Sequence, residues 1–386
     1  MSTKKVCIIG SGRQGTAAAF DLVKFCNNID LTFLDINSKQ SAASSDRIFS
    51  LLKYRAKHVS FNICDKEKLI TFLAPYDIFL SSVPYKLNPY LTDVAIKSKT
   101  SMVDLGGHTL NVKKQLLKNK EAQNANITIV PDCGMGPGMN VSVAMLGIES
   151  MDSPKEVYVW DGGLPQNPKP PWNYSLFFNI QGLTNEYDGM AYFIENKKVV
   201  EVPCFEYLEN IRFDNIGELE AAVTSGGLST MPWTYEGKLD VLHNKTLRYK
   251  GHWSQMKAFR ELGLFQEKEI DFKETKVSPR EFYHHLLSPK LTTSLNKDIC
   301  LMRVMVKGSH ENREKTTIVD IEEMYDEETG FLAMEKWTGW HASIVMIEIM
   351  NKNIGSGAIP IEKALSGNIF YKRALDRSYN IKIKNI

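Results

Sequence analysis

The sequence is poor in cysteine: Cys7, Cys26, Cys64, Cys133, Cys204 and Cys300 are scattered, with no Cys-x-x-Cys pair among them. Scarcity and spacing both argue against a zinc knuckle or a secreted disulfide frame, so no metal site is read and the thiols are expected free and mostly buried. Long apolar runs are missing too. The longest candidate, Ala342 to Met350, is broken by Glu348, well short of the about 18 residues of a membrane span. The first apolar stretch ends at Gly10 after four residues, too early for a signal-peptide core, and a cytoplasmic protein with no membrane partner is expected. Charge of one sign is equally absent. Lys and Arg number 47 against 45 Asp and Glu, for a formal net charge of +2. No one-sided positive field marks a nucleic-acid partner, while a small anionic ligand is allowed.

Internal repeats and low-complexity tracts are also lacking. What is present is globular: 43% hydrophobic and 24% charged residues in a 386-residue chain, longer than one hydrophobic core usually serves. From residue 4 to 130, short β-branched runs alternate with amphipathic stretches, the pattern of βαβ units on a parallel sheet. The strands read are Lys5-Ile9, Leu31-Leu34, Val59-Phe61, Ile78-Ser81, Ser101-Val103 and Thr128-Val130, with helices over Gln14 to Cys26 and Val112 to Asn124. The fold class predicted is α/β: a Rossmann-type doubly wound parallel sheet with a second α+β substrate domain of mixed sheet. The boundaries drawn are 1-133 for the dinucleotide-binding domain, 134-335 for the substrate domain, and 336-386 for a C-terminal helical segment packing back on the first. In the second domain Glu156-Trp160 reads as a strand, and Leu301-Lys307 with Thr316-Ile321 as an antiparallel pair. Ala342, Val345, Met346 and Ile349 give the last segment its helical spacing.

The first strand runs into Gly10-Ser-Gly12-Arg13-Gln14-Gly15. In a glycine loop between strand and helix, the first glycine makes the turn, the second lets a pyrophosphate approach the backbone, and the third allows close helix packing. The helix N-terminus then faces negative charge. Asp35, 20 residues beyond Gly15, ends the next strand, where a carboxylate accepts from ribose hydroxyls and repels a 2′-phosphate. The cofactor expected is NAD, with NADP disfavoured. Arg13 sits within reach of phosphate, Asp65 follows the third strand on the adenine side, and Ser82-Val83-Pro84-Tyr85 follows the fourth at the ligand-binding edge of the sheet.

Together with the glycine loop, four further stretches carry a family likeness: Val103-Asp104-Leu-Gly106-Gly107-His108, Pro131-Asp132-Cys-Gly134-Met-Gly136-Pro137-Gly138, Gly162-Gly163-Leu-Pro165, and Thr246-Leu-Arg248-Tyr-Lys-Gly251-His252. In this ordered set the chain resembles the saccharopine dehydrogenase family over nearly its whole length. Within the family it is most similar to the lysine 6-dehydrogenases, which oxidise the ε-amine of lysine with NAD. The resemblance implies a Rossmann domain, a mixed-sheet substrate domain, a returning C-terminal segment and a homodimer. Saccharopine dehydrogenases usually carry an acid where this chain has Gly136, which counts against saccharopine as the substrate.

The implied chemistry is amine oxidation, with an amino acid as the small-molecule substrate. Hydride leaves a carbon beside a neutral nitrogen, and neutralising an ε-ammonium of pKa near 10.4 at pH 7 costs roughly 4 to 5 kcal/mol, so a base is needed. Asp104, His108 and Asp132, at the ends of the fifth and sixth strands, are the expected catalytic residues. Arg248 is the expected cationic fork for the substrate carboxylate, bordered by His252. Thr224 and Ser225 offer hydroxyls to the same anion, and Tyr85 a further donor. Two alternatives stand beside this reading: a saccharopine-type enzyme joining an amino acid to a carbonyl compound, and a dinucleotide-binding sensor without turnover.

Overall fold

The structure is a computed structural model that describes residues 3-292 and 297-386. The β-branched runs of the first third form β1 (Lys4–Ile9), β2 (Ile29–Asp35), β3 (Lys57–Ser60), β4 (Ile78–Ser81), β5 (Ser101–Asp104) and β6 (Thr128–Val130). Between them lie α1 (Arg13–Phe25), α2 (Ser38–Leu52), α3 (Lys66–Leu73), α4 (Asn88–Ser98), α5 (Thr109–Leu116) and α6 (Asn119–Asn124). The strands pair in parallel in the order β3-β2-β1-β4-β5-β6. Helices cover both faces, which is why Val6 to Ile9 and Ile78 to Leu80 are apolar on successive residues and fully buried. Strand order reverses between β1 and β4, and ligands of such sheets bind outside the carboxyl ends there. The single helix expected over Val112 to Asn124 is divided. Gln115 of α5 is tied to Asp104 of β5, whereas Asn119 of α6 accepts from the backbone of Ala358, so the halves answer to different partners.

The chain then builds α7 (Met139–Glu149), β7 (Ser153–Pro165), α8 (Ile180–Glu186), β8 (Met190–Glu195), β9 (Lys198–Pro203), β10 (Glu209–Phe213), β11 (Gly217–Val223), α9 (Met231–Tyr235) and β12 (Val241–Arg248). There follow α10 (His252–Glu261), the hairpin β13 (Ile270–Phe272) and β14 (Thr275–Val277), α11 (Pro279–Leu291), β15 (Asp298–His310) and β16 (Arg313–Met324). The C-terminal part adds α12 (Ala333–Met350), β17 (Gly357–Ala358), α13 (Ile361–Ala364), α14 (Gly367–Asp376) and β18 (Asn380–Asn385). The second sheet has the order β10-β11-β12-β7-β15-β16-β18, with β8 and β9 attached through β12. It is mixed, because β12 pairs with β7 in parallel while its other described pairings are antiparallel. The expected hairpin registers Lys307 against Thr316 and is longer at both ends than the sequence pattern suggests.

Helix α12 is buried all round and lies against α1. The approach is close because the contact is made of small residues: a Cβ on Gly339 would stand 2.6 Å from the backbone nitrogen of Ala18. The C-terminal segment is not purely helical, and it serves both sheets. Gly357 and Ala358 extend the first sheet beside β6, whereas β18 closes the second along β16, whose edge would otherwise leave backbone groups unpaired. No described helix is long and apolar enough to cross a membrane.

Candidate active site

Each glycine of the loop after β1 has a distinct surrounding. Gly10 takes φ +90°, and a Cβ there would stand 2.7 Å from the carbonyl oxygen of Ser82. On Gly15 a Cβ would lie 2.2 Å from the Gly10 carbonyl oxygen, so glycine alone lets α1 start this close to the strand. Around Gly12 nothing of the protein comes within 4 Å of that position. Gly12 is also the N-cap of α1 and offers no capping side chain, which leaves the positive helix end open. An unobstructed glycine before an uncapped helix N-terminus fits a pyrophosphate. Gln14 adds a buried Oε1 without a hydrogen-bond partner on the wall of the neighbouring cavity.

Asp35 stands beside this loop and already accepts from it. Its Oδ2 takes the Ser11 N–H at 2.8 Å and the Ser11 hydroxyl at 2.9 Å, and its Oδ1 takes the Asn37 N–H at 2.9 Å. Ser82 donates to the carbonyl oxygens of Ile9, at 3.0 Å, and Gly10, tying β4 to the turn. Val83 packs against Gly10, and Pro84 leads into the turn that carries Tyr85. Arg13 is exposed, its guanidinium 3.8 Å from Glu335. Asp65 has a local part: it caps α3, accepting from Lys68 N–H at 3.3 Å.

Between the carboxyl ends of β4 to β6 and the inner face of the second sheet lies a cavity of about 290 Å³. Its far wall follows from strand periodicity. On β7, Val157, Val159, Asp161 and Gly163 share one face; on β12, Asn244, Thr246 and Arg248 do, and Thr246 registers against Asp161. The apolar members reach the core, and the polar ones line the cavity. Arg248 is 2% exposed. Its Nε donates to Tyr187 Oη at 2.8 Å and its Nη1 to the Leu247 carbonyl at 2.9 Å, while Nη2 lies 3.7 Å from Glu186. Its guanidinium faces the Tyr174 ring at 4.9 Å, so the cation is held rigidly.

Two carboxyls share this wall with Arg248. Asp161 accepts from Asn244 through Oδ1 at 2.7 Å, and its Oδ2 would lie 2.5 Å from a Cβ on Gly136. Burial raises it to about 6, opposed by the Asn244 bond and the Arg248 charge. Glu186 is raised to about 7, again by burial, with Arg248 opposing and Asp161 adding to the rise. Thr224 and Ser225 line the same cavity, bonded to Thr246 at 2.7 Å and to the Asn185 carbonyl at 2.7 Å.

Of the expected site residues, Gln14, Tyr85, Thr224, Ser225 and Arg248 meet at this cavity. Asp104, His108, Asp132 and His252 do not line it. Asp104 is fully buried, and its carboxylate accepts from the Gly106 N–H at 2.8 Å, the Asp132 N–H at 3.2 Å and Gln115 Nε2 at 2.7 Å, which ties the loops after β5 and β6 together. Asp132 lies under the cavity floor, where a Cβ on Gly106 would come within 2.0 Å of its Oδ1; neither carboxyl oxygen has a hydrogen-bond partner. His108 stacks on Tyr85 with ring centroids 5.3 Å apart, and both face an outer cleft of about 800 Å³. His252 bonds Tyr187 Oη at 2.9 Å, behind Arg248, and burial beside that cation lowers it to about 3. Sequence reading missed Asp161 and Glu186. The available signal was an acid inside the apolar run Val157-Tyr-Val-Trp-Asp161-Gly, had the strand been continued past Trp160.

Comparison with known proteins bears on this geometry. A family model described as the saccharopine dehydrogenase NADP binding domain matches residues 6–130, and one described as the saccharopine dehydrogenase C-terminal domain matches residues 134–378. Mitochondrial alpha-aminoadipic semialdehyde synthase of Mus musculus is 26% identical over 296 residues, covering 72% of this chain, and that of Bos taurus 28% over 290 residues. The chain spans 30% of the length of these synthases. Saccharopine dehydrogenase [NADP(+), L-glutamate-forming] of Pyricularia oryzae is 22% identical over 325 residues, covering 82% of this chain and 69% of that protein. The solved apo saccharopine dehydrogenase (L-Glu forming) of Saccharomyces cerevisiae shares the fold, with TM-score 0.79 and 16% identity over 99% of this chain and all of that one.

Proposed function

Because the chain belongs to the saccharopine dehydrogenase family, we propose that it is an NAD(P)-linked oxidoreductase acting on a C–N bond of an amino acid, with the ε-amine of L-lysine as the site of oxidation. The observation that carries this reading is the convergence of Arg248, Glu186 and Asp161 in one cavity at the carboxyl edge of the parallel strands. A buried guanidinium with a carboxyl beside it is the complement of an α-carboxylate and α-ammonium. Among the described lining residues Arg248 is the one Lys or Arg, which suits a substrate with a single carboxylate.

In this proposal Gly10, Gly12 and Gly15, with the α1 N-terminus, hold the dinucleotide pyrophosphate, and Asp35 accepts from the ribose and favours NAD. The oxidised nicotinamide supplies the hydride acceptor. Arg248 receives the substrate carboxylate and Glu186 its α-ammonium. Asp161, ionised above about pH 6, accepts through Oδ2 the proton that the reacting ammonium must lose. Gly136 leaves that oxygen its place. Asp104 braces the two loops, and Tyr85 with His108 forms the cavity mouth. The division into 1-133, 134-335 and 336-386, a homodimer and a cytoplasmic location belong to the same proposal.

The names of the relatives favour a second reading, the saccharopine-type joining of an amino acid with a carbonyl compound. Absorbance at the nicotinamide band separates the two. The first expects NAD reduction by L-lysine alone; the second expects NADH consumption only when lysine and 2-oxoglutarate, or another pair of amine and carbonyl, are both present. No response in either format would discard both, and binding of NADH without turnover would mark a sensor.

A further inference from the structure

The guanidinium on the cavity wall is one end of a chain of three buried side chains. Arg248, Tyr187 and His252 are 2%, 0% and 1% exposed. Arg248 Nε lies 2.8 Å from Tyr187 Oη, and Tyr187 Oη lies 2.9 Å from His252 Nε2. Arg248 lines the cavity, whereas Tyr187 and His252 stand behind it. Three elements bring them together: Tyr187 follows α8, Arg248 ends β12, and His252 opens α10.

Counting protons fixes the direction of both bonds. A guanidinium has N–H groups and no free lone pair, so Arg248 donates. The Tyr187 hydroxyl has a single proton, and its described partners are Arg248 and His252 alone. Arg248 cannot accept that proton, so it goes to His252 Nε2. That nitrogen is then the bare one of a neutral ring whose hydrogen is on Nδ1. A hydrogen on Nε2 would make the hydroxyl accept twice and leave its own proton unbonded in the core, the costly arrangement for a buried polar group. The surroundings agree: burial and the Arg248 charge both disfavour a second cation at His252. Nδ1 is buried without a hydrogen-bond partner, and the Trp172 backbone favours a proton on the ring.

The far end of the guanidinium is left open. Nη1 is held by the Leu247 carbonyl at 2.9 Å, but Nη2 has no described hydrogen bond, with Glu186 3.7 Å away. We propose that Tyr187 and His252 are positioning residues for a carboxylate subsite. His252 takes the Tyr187 proton, Tyr187 takes the Arg248 Nε–H, and the anchored guanidinium presents its Nη edge to one carboxylate, so that amines bearing a carboxylate are preferred to simple amines. The preference rests on the carboxylate role proposed for Arg248; the proton direction does not.

Nitrogen NMR of the isotope-labelled full chain without ligand tests the direction, with the His252 signals identified by their loss in His252→Gln. Nε2 should resonate as an unprotonated ring nitrogen and Nδ1 as a protonated one. A protonated Nε2 overturns the chain whatever the protein oxidises. Calorimetric titration with L-lysine and with 1,5-diaminopentane, in the presence of NADH, tests the preference without turnover. Tyr187→Phe should weaken lysine binding about tenfold, the lower range for a hydrogen bond to a charged group, and His252→Leu about threefold or more. Diamine binding should move less than about twofold in both. His252→Gln, whose side-chain oxygen can take the tyrosine proton, should stay within about twofold of wild type for both ligands. Equal weakening of lysine and diamine, or a fall in melting temperature at unchanged lysine affinity, makes the pair merely structural and overturns the proposal. A His252→Gln as weak as His252→Leu, or a wild type that does not bind lysine, overturns it as well. Lysine binding that follows this pattern without NAD reduction would refute the amine oxidation and uphold the subsite.

Discussion

Replacing Arg248 by lysine keeps a positive charge beside Glu186 and Asp161 but removes the planar fork. The Nε bond to Tyr187 at 2.8 Å and the Nη1 bond to the Leu247 carbonyl at 2.9 Å fix the guanidinium, leaving the outer Nη hydrogens for a carboxylate. A lysine cannot hold both anchors and present two donors. One charge-assisted hydrogen bond contributes about 1.5 to 3 kcal/mol, so its loss should lower kcat/KM for L-lysine by roughly 10- to 100-fold, at about 1.4 kcal/mol per tenfold. The control is a substrate lacking the group that Arg248 is assigned to bind. With 1,5-diaminopentane, wild type and Arg248→Lys should differ by no more than about twofold, since the carboxylate interaction is missing from both. Affinity for the dinucleotide should not move, because Arg248 belongs to β12 of the second sheet. The assay is initial-rate nicotinamide absorbance with both substrates and both proteins, beside a thermal melt. An equal fall with lysine and the diamine would refute the carboxylate role and make Arg248 a structural cation; no fall with either would refute any role in the site.

The glycine loop predicts a contrast. Gly15→Ala drives a Cβ to 2.2 Å from a backbone oxygen and should lower stability by about 1 to 3 kcal/mol in denaturant unfolding, whereas Gly12→Ala should leave stability nearly unchanged while weakening dinucleotide binding at least about tenfold by fluorescence titration. Equal behaviour of the two variants would contradict the separate parts assigned to them. Asp35→Ser should reduce the ratio of kcat/KM for NAD over NADP by about tenfold or more, since the charge opposing a 2′-phosphate is gone; an unchanged ratio would place cofactor choice elsewhere. Acid stability should report His252. Unfolded, its imidazole takes a proton near pH 6.5, but folded only near 3. Below pH 6.5 the unfolded state therefore binds more protons, and stability drops as pH falls from 6.5 toward 3, by up to about 5 kcal/mol. The raised carboxyls Asp161 and Glu186 act oppositely, losing their contribution as pH rises from about 4 through 6 and 7, so the comparison must be with His252→Gln, whose melting temperature should fall less between pH 6.5 and 4. Parallel pH curves would show that His252 is not held neutral by the fold.

Local pattern was enough for β1 to β6 of the first sheet but not for β17, whose Gly357-Ala358 carries no strand signal and is added only by pairing with β6. The glycines at 10, 12 and 15 have turn and packing reasons visible without a structure, as does the acid ending β2. The second sheet was legible where a strand had a clean partner, as in Leu301-Lys307 with Thr316-Ile321, but not in its extent or order. The sequence pattern carries β7 only to Trp160, whereas the strand continues to Pro165; its glycines let the neighbouring strand pack close, with a Cβ on Gly162 reaching 2.6 Å from the Leu247 carbonyl. Asp161 lies in that continuation.

Sequence by itself determined what depends on neighbours within a few residues: the parallel α/β first half, the glycine turn, and the presence of acids, hydroxyls and one arginine suited to amine chemistry. Tertiary structure decided which of them share a cavity. Asp104 and Asp132 stand at strand ends as expected, but one carboxylate is taken by three donors and the other lies beneath Gly106, because two consecutive loops of the parallel sheet pack on each other. Arg248 and Asp161, 87 positions apart, meet because β12 pairs with β7 in register and a strand repeats its face every second residue. Register between distant strands is set by the packing of the whole sheet, and no local window contains it.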